Sequence, residues 1–369
     1  MRGGAGVSAA GQTDLMAVNQ EVALLRLVAQ RLAGPRWDTP TEAVRHLGAV
    51  QAQDLRGALT SVALRVAGGT GAGVRAALDA GEIVRTWPMR GTLHFIPAED
   101  AGWMMAIAGP RMDTGLRTRM ALFGIEDFTR ARAHALEVAG EALAGTGGLT
   151  RAELSAHWAD AGLVREPRAG LFLLHVLCAA GELALGPLSG DEQQVVRLTD
   201  WVPRPRTLDP EEGLTEWVRR YVLSHGPVTD RDTARWFGLP LGLVRPALAR
   251  AGGLEEFEAD GHTYYLDPAV PELLAEYRRE ARRLMLLPGF DEFMLGYADR
   301  TFAVPPAHID ELVPGRNGMF RATIVKTGRV IGLWRRGGTP ARRRLEVDAF
   351  RPLGPRTEAS VRQVFDRLP

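Results

Sequence analysis

The residues Leu78-Asp79-Ala80-Gly81-Glu82-Ile83 mark a point where a helix ends and a strand begins, and the same junction occurs twice more along the chain. The later copies read Leu177-Cys178-Ala179-Ala180-Gly181-Glu182-Leu183 and Leu248-Ala249-Arg250-Ala251-Gly252-Gly253-Leu254. Glycine ends many helices because it adopts the left-handed C-cap conformation without strain, so one match would mean little. Three matches, each with helices before it and a hairpin after it, predict three tandem winged helices.

The elements around each junction follow from apolar spacing and from capping residues. Apolar residues recur at helical spacing over 19–32, and Thr39-Pro40-Thr41-Glu42 opens a second helix with an N-cap and an early proline. The first copy then predicts helices at 56–66 and 74–80 and strands at 83–87 and 91–96. The second predicts helices at 149–162 and 171–180 and a hairpin at 183–198, and the third predicts helices at 216–225 and 243–251 and a hairpin at 254–266.

The last hundred residues have a different pattern. A helix is expected at 274–284, and strand-like alternation covers 322–334 around Lys326-Thr327-Gly328. We therefore expect a mainly α fold with small β-hairpins, built from three winged-helix motifs and a C-terminal β-rich domain. The expected divisions are a disordered tail at 1–15, winged helices at 16–110, 111–205 and 206–270, and the β-rich basic domain at 271–369.

Length and composition describe an ordinary globular protein. A chain of 369 residues exceeds the usual range for one domain, so several modules with a cleft between them are expected. No apolar run is long enough to span a bilayer, and the Gly/Ala/Ser-rich start lacks the apolar core of a signal peptide. The single cysteine, Cys178, excludes internal disulfides and cysteine-cluster zinc sites, so we expect a cytoplasmic protein without a membrane partner.

Charge is distributed unevenly although the net charge is only +1. No acidic residue occurs between Glu311 and Glu346, and we call this stretch the basic segment. Each phosphate that a basic side chain neutralises releases counterions, so the segment is a candidate surface for a nucleic-acid backbone. Its basic residues are Arg316, Arg321, Lys326, Arg329, Arg335, Arg336, Arg342, Arg343 and Arg344, and Lys326 is the only lysine in the chain.

A second candidate site is the tetrapeptide Gln51-Ala52-Gln53-Asp54. On a helix the two glutamines would point about 200° apart, whereas in an extended segment they leave the same face. We predict an extended segment after a helix that ends near Gly48. Two adjacent amides, each with a carbonyl acceptor and an NH₂ donor, can orient a water molecule or a sugar oxygen. The alternative is that they cap neighbouring backbone groups.

Three further motifs resemble one bacterial family. They are Arg85-Thr86-Trp87 with Met89-Arg90-Gly91-Thr92-Leu93-His94, the segment from Leu287-Pro288-Gly289-Phe290-Asp291 to Tyr297-Ala298-Asp299-Arg300, and Val330-Ile331-Gly332-Leu333-Trp334-Arg335. Together they resemble the winged-helix family HTH_42, whose AlkZ-like and YcaQ-like members are DNA glycosylases that remove bulky alkylated purines and unhook interstrand crosslinks. The resemblance covers nearly the whole chain and implies that the modules surround a DNA-binding cleft.

The resemblance also assigns catalytic residues. AlkZ-like members carry a Gln, apolar, Gln motif, which matches Gln51, Ala52 and Gln53, whereas the YcaQ-like branch has Asp in place of the second Gln. A Gln at position 53 places the chain with the branch that is often linked to self-resistance in producers of DNA-alkylating natural products. Alanine is small for the apolar position of the motif.

The chemistry that amides can perform limits the substrate. Amides do not take a proton, so they suffice only where the base already carries a positive charge, as N7- or N3-alkylpurines do. Asp54 is the local carboxylate that could assist, with a helix N-cap as its alternative role. His94 and Arg90 lie on the first predicted hairpin, where we expect His94 to face the glutamines; its alternative role is a hydrogen bond within the wing. With no lysine nearby, water is the expected nucleophile, which makes the enzyme monofunctional.

Other patterns exclude functions or leave them open. Eight scattered histidines without a paired-cysteine or His-x-Glu pattern predict no metal and no cofactor. Asp291, Asp299 and Arg300 are expected to form ion pairs that hold the C-terminal domain against the first repeat. Cys178 and Trp87 are expected in the core. The expected partner is double-stranded DNA with alkylated purines, bound by a monomer; the alternatives are a winged-helix regulator and a drug-binding protein without catalysis.

Overall fold

The computed structural model describes residues 9–190, 192–259, 261–339 and 342–369. Nothing is described for the side chains of 9–18, Pro167, Arg316, Thr339, Arg342 and Arg343. The first helix begins at Ala9, ten residues before the predicted start, so residues 9–15 of the expected tail are helical, while 1–8 lie outside the described residues.

The first unit has its elements close to where the sequence predicts them. They are α1 (Ala9–Ala29), α2 (Pro40–Leu47), β1 (Val50–Gln51), α3 (Leu55–Ala63), α4 (Gly71–Asp79), β2 (Ile83–Met89) and β3 (Thr92–Pro97). Thr39 and Glu42 form a capping box at the start of α2, and Gly48 ends the helix with a φ of 77°. Because glycine stops α2 there, the next residues are extended and form β1.

Two helices that were not predicted from the sequence follow the first hairpin, α5 (Ala101–Ala121), which crosses the expected boundary between residues 110 and 111, and α6 (Phe128–Leu143). Helix α5 includes Gly109 and Pro110, residues that normally weaken a helix. It persists because it packs closely on the next helices: a Cβ on Gly109 would lie 2.3 Å from the Ala179 carbonyl oxygen. The remaining elements of the second unit are α7 (Arg151–Asp160), α8 (Pro167–Ala179), β4 (Leu183–Ser189), β5 (Glu192–Arg197) and α9 (Leu198–Trp201).

The third unit and the C-terminal region follow the predicted order. The third unit consists of α10 (Pro210–His225), α11 (Asp230–Phe237), α12 (Leu241–Arg250), β6 (Glu255–Ala259) and β7 (His262–Leu266). The C-terminal region consists of α13 (Val270–Ala281), β8 (Leu284–Leu287), α14 (Glu292–Leu295), α15 (Ile309–Leu312), β9 (Ala322–Lys326), β10 (Arg329–Thr339), β11 (Arg342–Ala349) and α16 (Pro355–Asp366). The chain is thus mainly helical with small antiparallel sheets.

The sheets join parts of the chain that are far apart in sequence. The first two hairpins form one five-stranded sheet in the order β1-β3-β2-β4-β5, because Arg85 of β2 pairs with Leu185 of β4. The C-terminal sheet has the order β11-β10-β9-β8, and β6 pairs with β7 alone. Gly332 lies at an irregular point of β10, where a Cβ would come within 2.8 Å of the β11 backbone, so only glycine fits.

The main apolar core draws on every unit. Its buried side chains come from α1, the first hairpin, α5, α10, α11 and the C-terminal region, with Trp217 and Tyr221 of α10 at its centre. Ring contacts extend this packing, since Tyr221 lies 4.7 Å from the Trp236 ring centroid. In the described ranges, no helix combines the length and the apolar character that crossing a bilayer requires. The main apolar core therefore holds the first hairpin and the C-terminal region in one fixed arrangement.

Candidate active site

Gln51 lies where the sequence predicts an extended segment. It pairs with His94 in antiparallel register, so the two side chains lie on the same face of the sheet. The Gln51 side chain is 6% exposed, yet its amide makes no hydrogen bond within the part of the chain that the structure describes. A nearly buried amide without a protein partner can bind a ligand or a water molecule.

Gln53 has a different environment. Its side chain is exposed, and its carbonyl oxygen accepts a hydrogen bond of 3.2 Å from the Leu93 N–H. The Leu93 carbonyl in turn accepts the Ala52 N–H at 2.7 Å, so β1 stays joined to β3 beyond its last paired residue. The alternative role of capping backbone is therefore realised for the Gln53 carbonyl, while its NH₂ group has no bond to a described residue.

Arg85 holds the glutamine segment from within the sheet. Its Nε donates to the Ala52 carbonyl at 2.9 Å, and its Nη1 donates to the Gln193 side chain at 3.1 Å. Gln193 donates in turn to the carbonyl of Gly186 at 2.9 Å. Burial lowers the pKa of Arg85 to about 10, which leaves it charged at neutral pH. The second hairpin thus positions the segment that carries both glutamines.

Glu292 is a carboxylate in direct contact with Gln51, and it was not predicted as a site residue from the sequence. One oxygen accepts the Gln51 backbone N–H at 3.0 Å and the other accepts the Trp236 indole N–H at 2.9 Å. Its side chain is fully buried. Burial alone would raise the pKa of this carboxyl, but His225, whose Nε2 lies 3.5 Å from one oxygen, the charge of Arg90 and the Trp236 N–H lower it to about 2. A permanent negative charge therefore lies directly behind β1.

His94 is neutral and points into the same region. Its Nδ1 donates to the Thr92 carbonyl at 2.8 Å, and its Nε2 accepts from Arg90 at 3.1 Å. Burial and the Arg90 charge lower the pKa of His94 to about 3. The predicted position of His94 beside Gln51 is confirmed, and so is its alternative role as a hydrogen-bonded residue of the hairpin. It has no proton to give as an imidazolium acid at neutral pH.

Asp54 caps a helix and also borders a cavity. Its carboxylate accepts the Arg56 N–H at 3.1 Å at the start of α3. The adjacent cavity has a volume of about 370 Å³, and its lining brings α3 together with the loop after β8 and with β9 and β10. The charged side chains around it are Asp54, Arg56, Arg321, Arg335 and Arg336. Arg321, Arg335 and Arg336 of the basic segment therefore lie next to the glutamine segment.

Two members of the basic segment bear an acidic partner from outside it. Arg335 donates to Glu346 across the β10–β11 hairpin, and Arg321 lies 3.4 Å from Asp348. Arg344 is exposed, and the Arg336 guanidinium lies 5.8 Å from the Phe365 ring centroid. The side chains of Arg316, Arg342 and Arg343 lie outside the described part of the chain. The net positive charge of the basic segment with its partners is therefore smaller than the sequence alone indicates.

The expected ion pairs around Asp291 are confirmed only for that residue. Asp291 binds Arg65 with both oxygens, at 2.9 and 3.0 Å, and both side chains are buried. This pair joins the region after α3 to α14. Asp299 instead accepts from Thr301, and Arg300 donates to the Met294 carbonyl at 2.8 Å, so neither joins the network. The side chains of Asp299 and Arg300 therefore form local hydrogen bonds and do not connect to Arg65.

Two other residues lie away from the glutamines. Cys178 is buried, and burial raises the pKa of its thiol, so it is core and not a nucleophile. Lys326 lies at the end of β9 opposite Ala322, which borders the cavity, and it donates to Thr357 at 3.2 Å. Across the described ranges, no three acidic, histidine or cysteine side chains are grouped as a metal would require.

The sequence feature that could have indicated Glu292 is a pair of neighbouring acids in an apolar stretch. In Phe290-Asp291-Glu292-Phe293-Met294-Leu295 both carboxylates are flanked by large apolar residues. Acids in such a setting are buried, and buried acids need partners. The sequence does not say which partners, because Gln51 and Glu292 are 241 positions apart.

Comparison with known proteins places this geometry in context. Residues 44–369 match the model of a family described as DNA glycosylase AlkZ-like. A Streptomyces sahachiroi protein named interstrand DNA cross-link repair glycosylase is 28% identical over 333 residues, which cover 85% of this chain and 87% of that protein. The solved structure of Streptomyces sahachiroi DNA glycosylase AlkZ superposes with a TM-score of 0.76 at 24% identity, covering 94% of each chain.

The family match covers most of the chain, including β1, the first hairpin and the C-terminal region. The solved structure independently supports the mainly helical fold with small sheets. The sequence motifs, the fold and the family model agree, and this chain belongs to the AlkZ-like family of DNA glycosylases.

Proposed function

We propose that this DNA glycosylase hydrolyses the N-glycosidic bond of bulky purines alkylated at N7 or N3 in double-stranded DNA, with Gln51 and Gln53 as its catalytic residues. The observation that carries the proposal is the state of the two amides. The Gln51 amide has no hydrogen bond to a described residue although it is nearly buried, and the Gln53 NH₂ group is likewise left for a ligand.

The reaction requires no acid to protonate the leaving base. Alkylation at N7 or N3 gives the purine a formal positive charge, so the base departs as a neutral alkylpurine with both electrons of the glycosidic bond. Positive charge develops on the sugar, and a water molecule held by the amides adds to C1′. Asp54, exposed beside Gln53, is the local acceptor for the proton that this water loses. Orientation of one water and electrostatic stabilisation supply the acceleration.

Glu292 supports this chemistry from behind the strand. Its charge is fully buried, and a charge in a poorly polarisable interior acts over longer distances than one in water. A fixed negative charge near C1′ lowers the energy of the developing sugar cation. Glu292 also fixes the Gln51 backbone through the 3.0 Å hydrogen bond, and it acts as a positioning residue and not as a base.

The units around the site provide the proposed surface for DNA. We propose that the three sets of helices followed by a hairpin are winged helices at 16–110, 111–205 and 206–270, which surround a cleft together with 271–369. The basic segment binds phosphates there. Its proposed members are Arg316, Arg335, Arg336, Arg342, Arg343 and Arg344.

The biological role is proposed from the relative. Its printed name describes interstrand cross-link repair, and we propose that this chain also unhooks such crosslinks and protects its host from a genotoxic natural product. We propose that it acts as a cytoplasmic monomer. The alternatives without catalysis have less support because the family is one of DNA glycosylases. A winged-helix regulator would read bases with α12, but both arginines of this helix are paired, Arg245 with Asp230 and Arg250 with Glu211.

The decisive experiment measures excision from a duplex that contains one N7-alkylguanine. Abasic sites are revealed by alkaline cleavage after single-turnover incubation with Gln51→Ala, Gln53→Ala and the wild type. We expect each variant to lose roughly 10²-fold in rate, a loss of about 3 kcal/mol in transition-state stabilisation, with little change in DNA affinity. Gln53→Asp should retain appreciable activity, because a carboxylate at this position also stabilises a sugar cation.

The matched control is Gln363→Ala, which removes an exposed amide from α16. It should excise at the wild-type rate. If Gln51→Ala and Gln53→Ala also excise at that rate while folded, the glutamines are structural and the proposal fails. Asp54 and His94 would then be the next residues to replace.

A further inference from the structure

Three arginines from three different parts of the chain lie on elements that meet beside the active-site strand. Arg90 is at the tip of the first hairpin, Arg235 is near the end of α11, and Arg300 follows α14. The hairpin tip rests on the end of α11, since a Cβ on Gly238 would lie 3.3 Å from the Arg90 Cγ. The loop that carries Arg300 also contacts α11, since the Ala298 N–H donates to Asp232 at 2.8 Å. The charges of Arg235 and Arg90 are among the causes that lower the pKa of Arg300.

This arginine group is close to Gln51 through two short connections. Arg90 donates to His94, which pairs with Gln51 across β1 and β3. Arg300 donates to the carbonyl of Met294, two residues after Glu292, which accepts the Gln51 N–H. A ligand held by the three guanidinium groups would therefore lie next to the sugar whose bond is cut.

None of the three arginines forms an ion pair with a residue that the structure describes. The acidic groups that face them are engaged elsewhere. Asp232 accepts the Ala298 N–H and caps α11, and Asp299 accepts from Thr301. Glu292 is fully buried and binds Gln51 and Trp236. The group is therefore a concentration of positive charge without a direct carboxylate partner.

Electrostatics support the same conclusion. Burial is the largest cause that lowers the pKa of Arg300 to about 10, and the charges of Arg235 and Arg90 follow, each stronger than the opposing effect of Asp232 or Asp299. Burial also lowers the pKa of Arg90, with Glu292 opposing and Arg235 adding to the effect. Like charges in a partly buried site repel each other, and a bound anion would relieve this repulsion.

The backbone of Arg90 adds an independent observation. Arg90 and Gly91 form the turn between β2 and β3 with φ values of 53° and 66°. Both central residues of such a turn need positive φ, which favours Asn, Asp or Gly at the first position and disfavours arginine. An arginine kept in a strained conformation directly above α11 indicates that its side chain is needed there.

We propose that Arg90, Arg235 and Arg300 together bind one phosphodiester of the lesion strand, next to the nucleotide whose base is removed. The site is distinct from the basic segment and consists of residues that the sequence motifs did not combine. Arginine forms paired hydrogen bonds with phosphate oxygens, and three guanidinium groups from separate elements fix the position of a phosphate in all directions. The inference rests on the proposed function, because it assigns this phosphate to the same DNA strand.

The test is a phosphate-neutralisation scan. A set of duplexes carries N7-methylguanine on a 2′-fluoroarabinose sugar, which resists excision, and each has one neutral methylphosphonate at a different position in the lesion strand. Binding is measured by fluorescence anisotropy for the wild type, Arg235→Gln and Arg235→Gln/Arg300→Gln. Arg279→Gln is the matched control, because Arg279 is exposed on α13.

We expect one position near the lesion where the methylphosphonate weakens wild-type binding about tenfold, as loss of a charge-assisted contact does. At that position alone the effect should disappear in the double variant and shrink in Arg235→Gln, while Arg279→Gln behaves as the wild type. The slope of log affinity against log salt should fall by about 0.9, one phosphate, in the double variant. Loss of stability in that variant does not affect the result for Arg235→Gln, whose side chain is exposed.

Two results of the binding scan would overturn the proposal. Either every methylphosphonate weakens the wild type and both variants equally, or Arg235→Gln and the double variant keep the wild-type salt slope. A third arm adds inorganic phosphate to the protein without DNA: stabilisation by free phosphate without any position-specific effect in the scan would mean that the site serves a free anion and not DNA. None of these measurements requires excision, so an enzyme that binds in this way but releases no base would refute the proposed function and not this site.

Discussion

Replacing Glu292 with glutamine changes one buried charge and almost no volume. The carboxylate accepts the Gln51 N–H at 3.0 Å and the Trp236 N–H at 2.9 Å, one on each oxygen. A primary amide has only one carbonyl oxygen. Whichever way the new side chain turns, one of these two buried donors will face an NH₂ group.

The expected loss of stability follows from these contacts. A buried N–H without an acceptor costs about 1–3 kcal/mol, and Arg90 also loses the negative charge of Glu292, which opposes the lowering of its pKa. We therefore expect the free energy of unfolding to fall by about 2–4 kcal/mol. This leaves most of the protein folded, because domains are stable by about 5–15 kcal/mol.

Two measurements separate stability from catalysis. Urea denaturation gives the free energy of unfolding, and single-turnover excision of N7-alkylguanine is measured at a temperature where the variant is folded. We expect excision to fall by about 10²-fold, since a turned amide displaces the Gln51 backbone and the sugar cation loses a negative charge. Glu358→Gln, a change of the same kind at an exposed position of α16, should leave both measurements unchanged.

Either of two outcomes would refute the proposed role of Glu292. If Glu292→Gln is destabilised but excises at the wild-type rate, the carboxylate holds the fold and does not position Gln51. If stability does not change at all, the two hydrogen bonds do not contribute what their geometry indicates.

The remaining predictions concern DNA affinity, the nucleophile and pH. Neutralising five arginines of the basic segment together should lower the salt slope of binding to undamaged duplex by several phosphate equivalents, and an unchanged slope would place the footprint elsewhere; the set is Arg335, Arg336, Arg342, Arg343 and Arg344. Borohydride should trap no covalent adduct with DNA, because Lys326 lies at the far end of β9, about 13 Å from Ala322. Excision should vary little between about pH 6.5 and 9, because the pKa values of His94 and Glu292, lowered to about 3 and about 2, keep both charges constant. Below pH 6.5 the unfolded chain protonates His94 and the folded chain does not, so the free energy of unfolding should fall by up to about 1.4 kcal/mol per pH unit for this residue in denaturation curves.

Local chemistry explains why the glutamine segment could be predicted from sequence. Gly48 stops α2, and Asp54 starts α3 as its N-cap, so the residues between them have no helix to join. The hairpin that follows Gly81 is equally local, because β2 and β3 are joined by a two-residue turn. The pairing of β1 with β3 then brings His94 opposite Gln51, as expected from the sequence.

The contacts that complete the site are not local, and no periodicity reveals them. Arg85 reaches Gln193 from the second hairpin, 108 positions away, because the two hairpins share one sheet. Glu292 reaches Gln51 because the core to which α14 contributes also includes Ala49, two residues before Gln51. Sequence alone identified these side chains as charged or polar, and only the tertiary structure shows which of them meet.

Helix α5 was missed for a related reason. It contains Gly109 and Pro110, and both lower the local preference for a helix. Close packing against Ala179 requires a residue without a side chain at Gly109, so the feature that weakens the helix locally is what allows it to pack. Tertiary contacts therefore decide the structure of this segment, as they do for many short helices.

The charges around β1 match the two charges that the proposed substrate brings. The sugar becomes positive as the base leaves, and the buried negative charge of Glu292 lies behind the strand that carries Gln51. The DNA backbone is negative, and Arg90, Arg235 and Arg300 lie on elements that meet beside that strand. Because charge stabilisation in a buried site acts on the transition state whereas phosphate contacts exist before and after the bond breaks, the carboxylate contributes mainly to rate and the arginines mainly to affinity. In the proposed mechanism these two functions belong to different side chains, so a site without a catalytic acid would hold a duplex and still favour only the departure of a base that is already cationic.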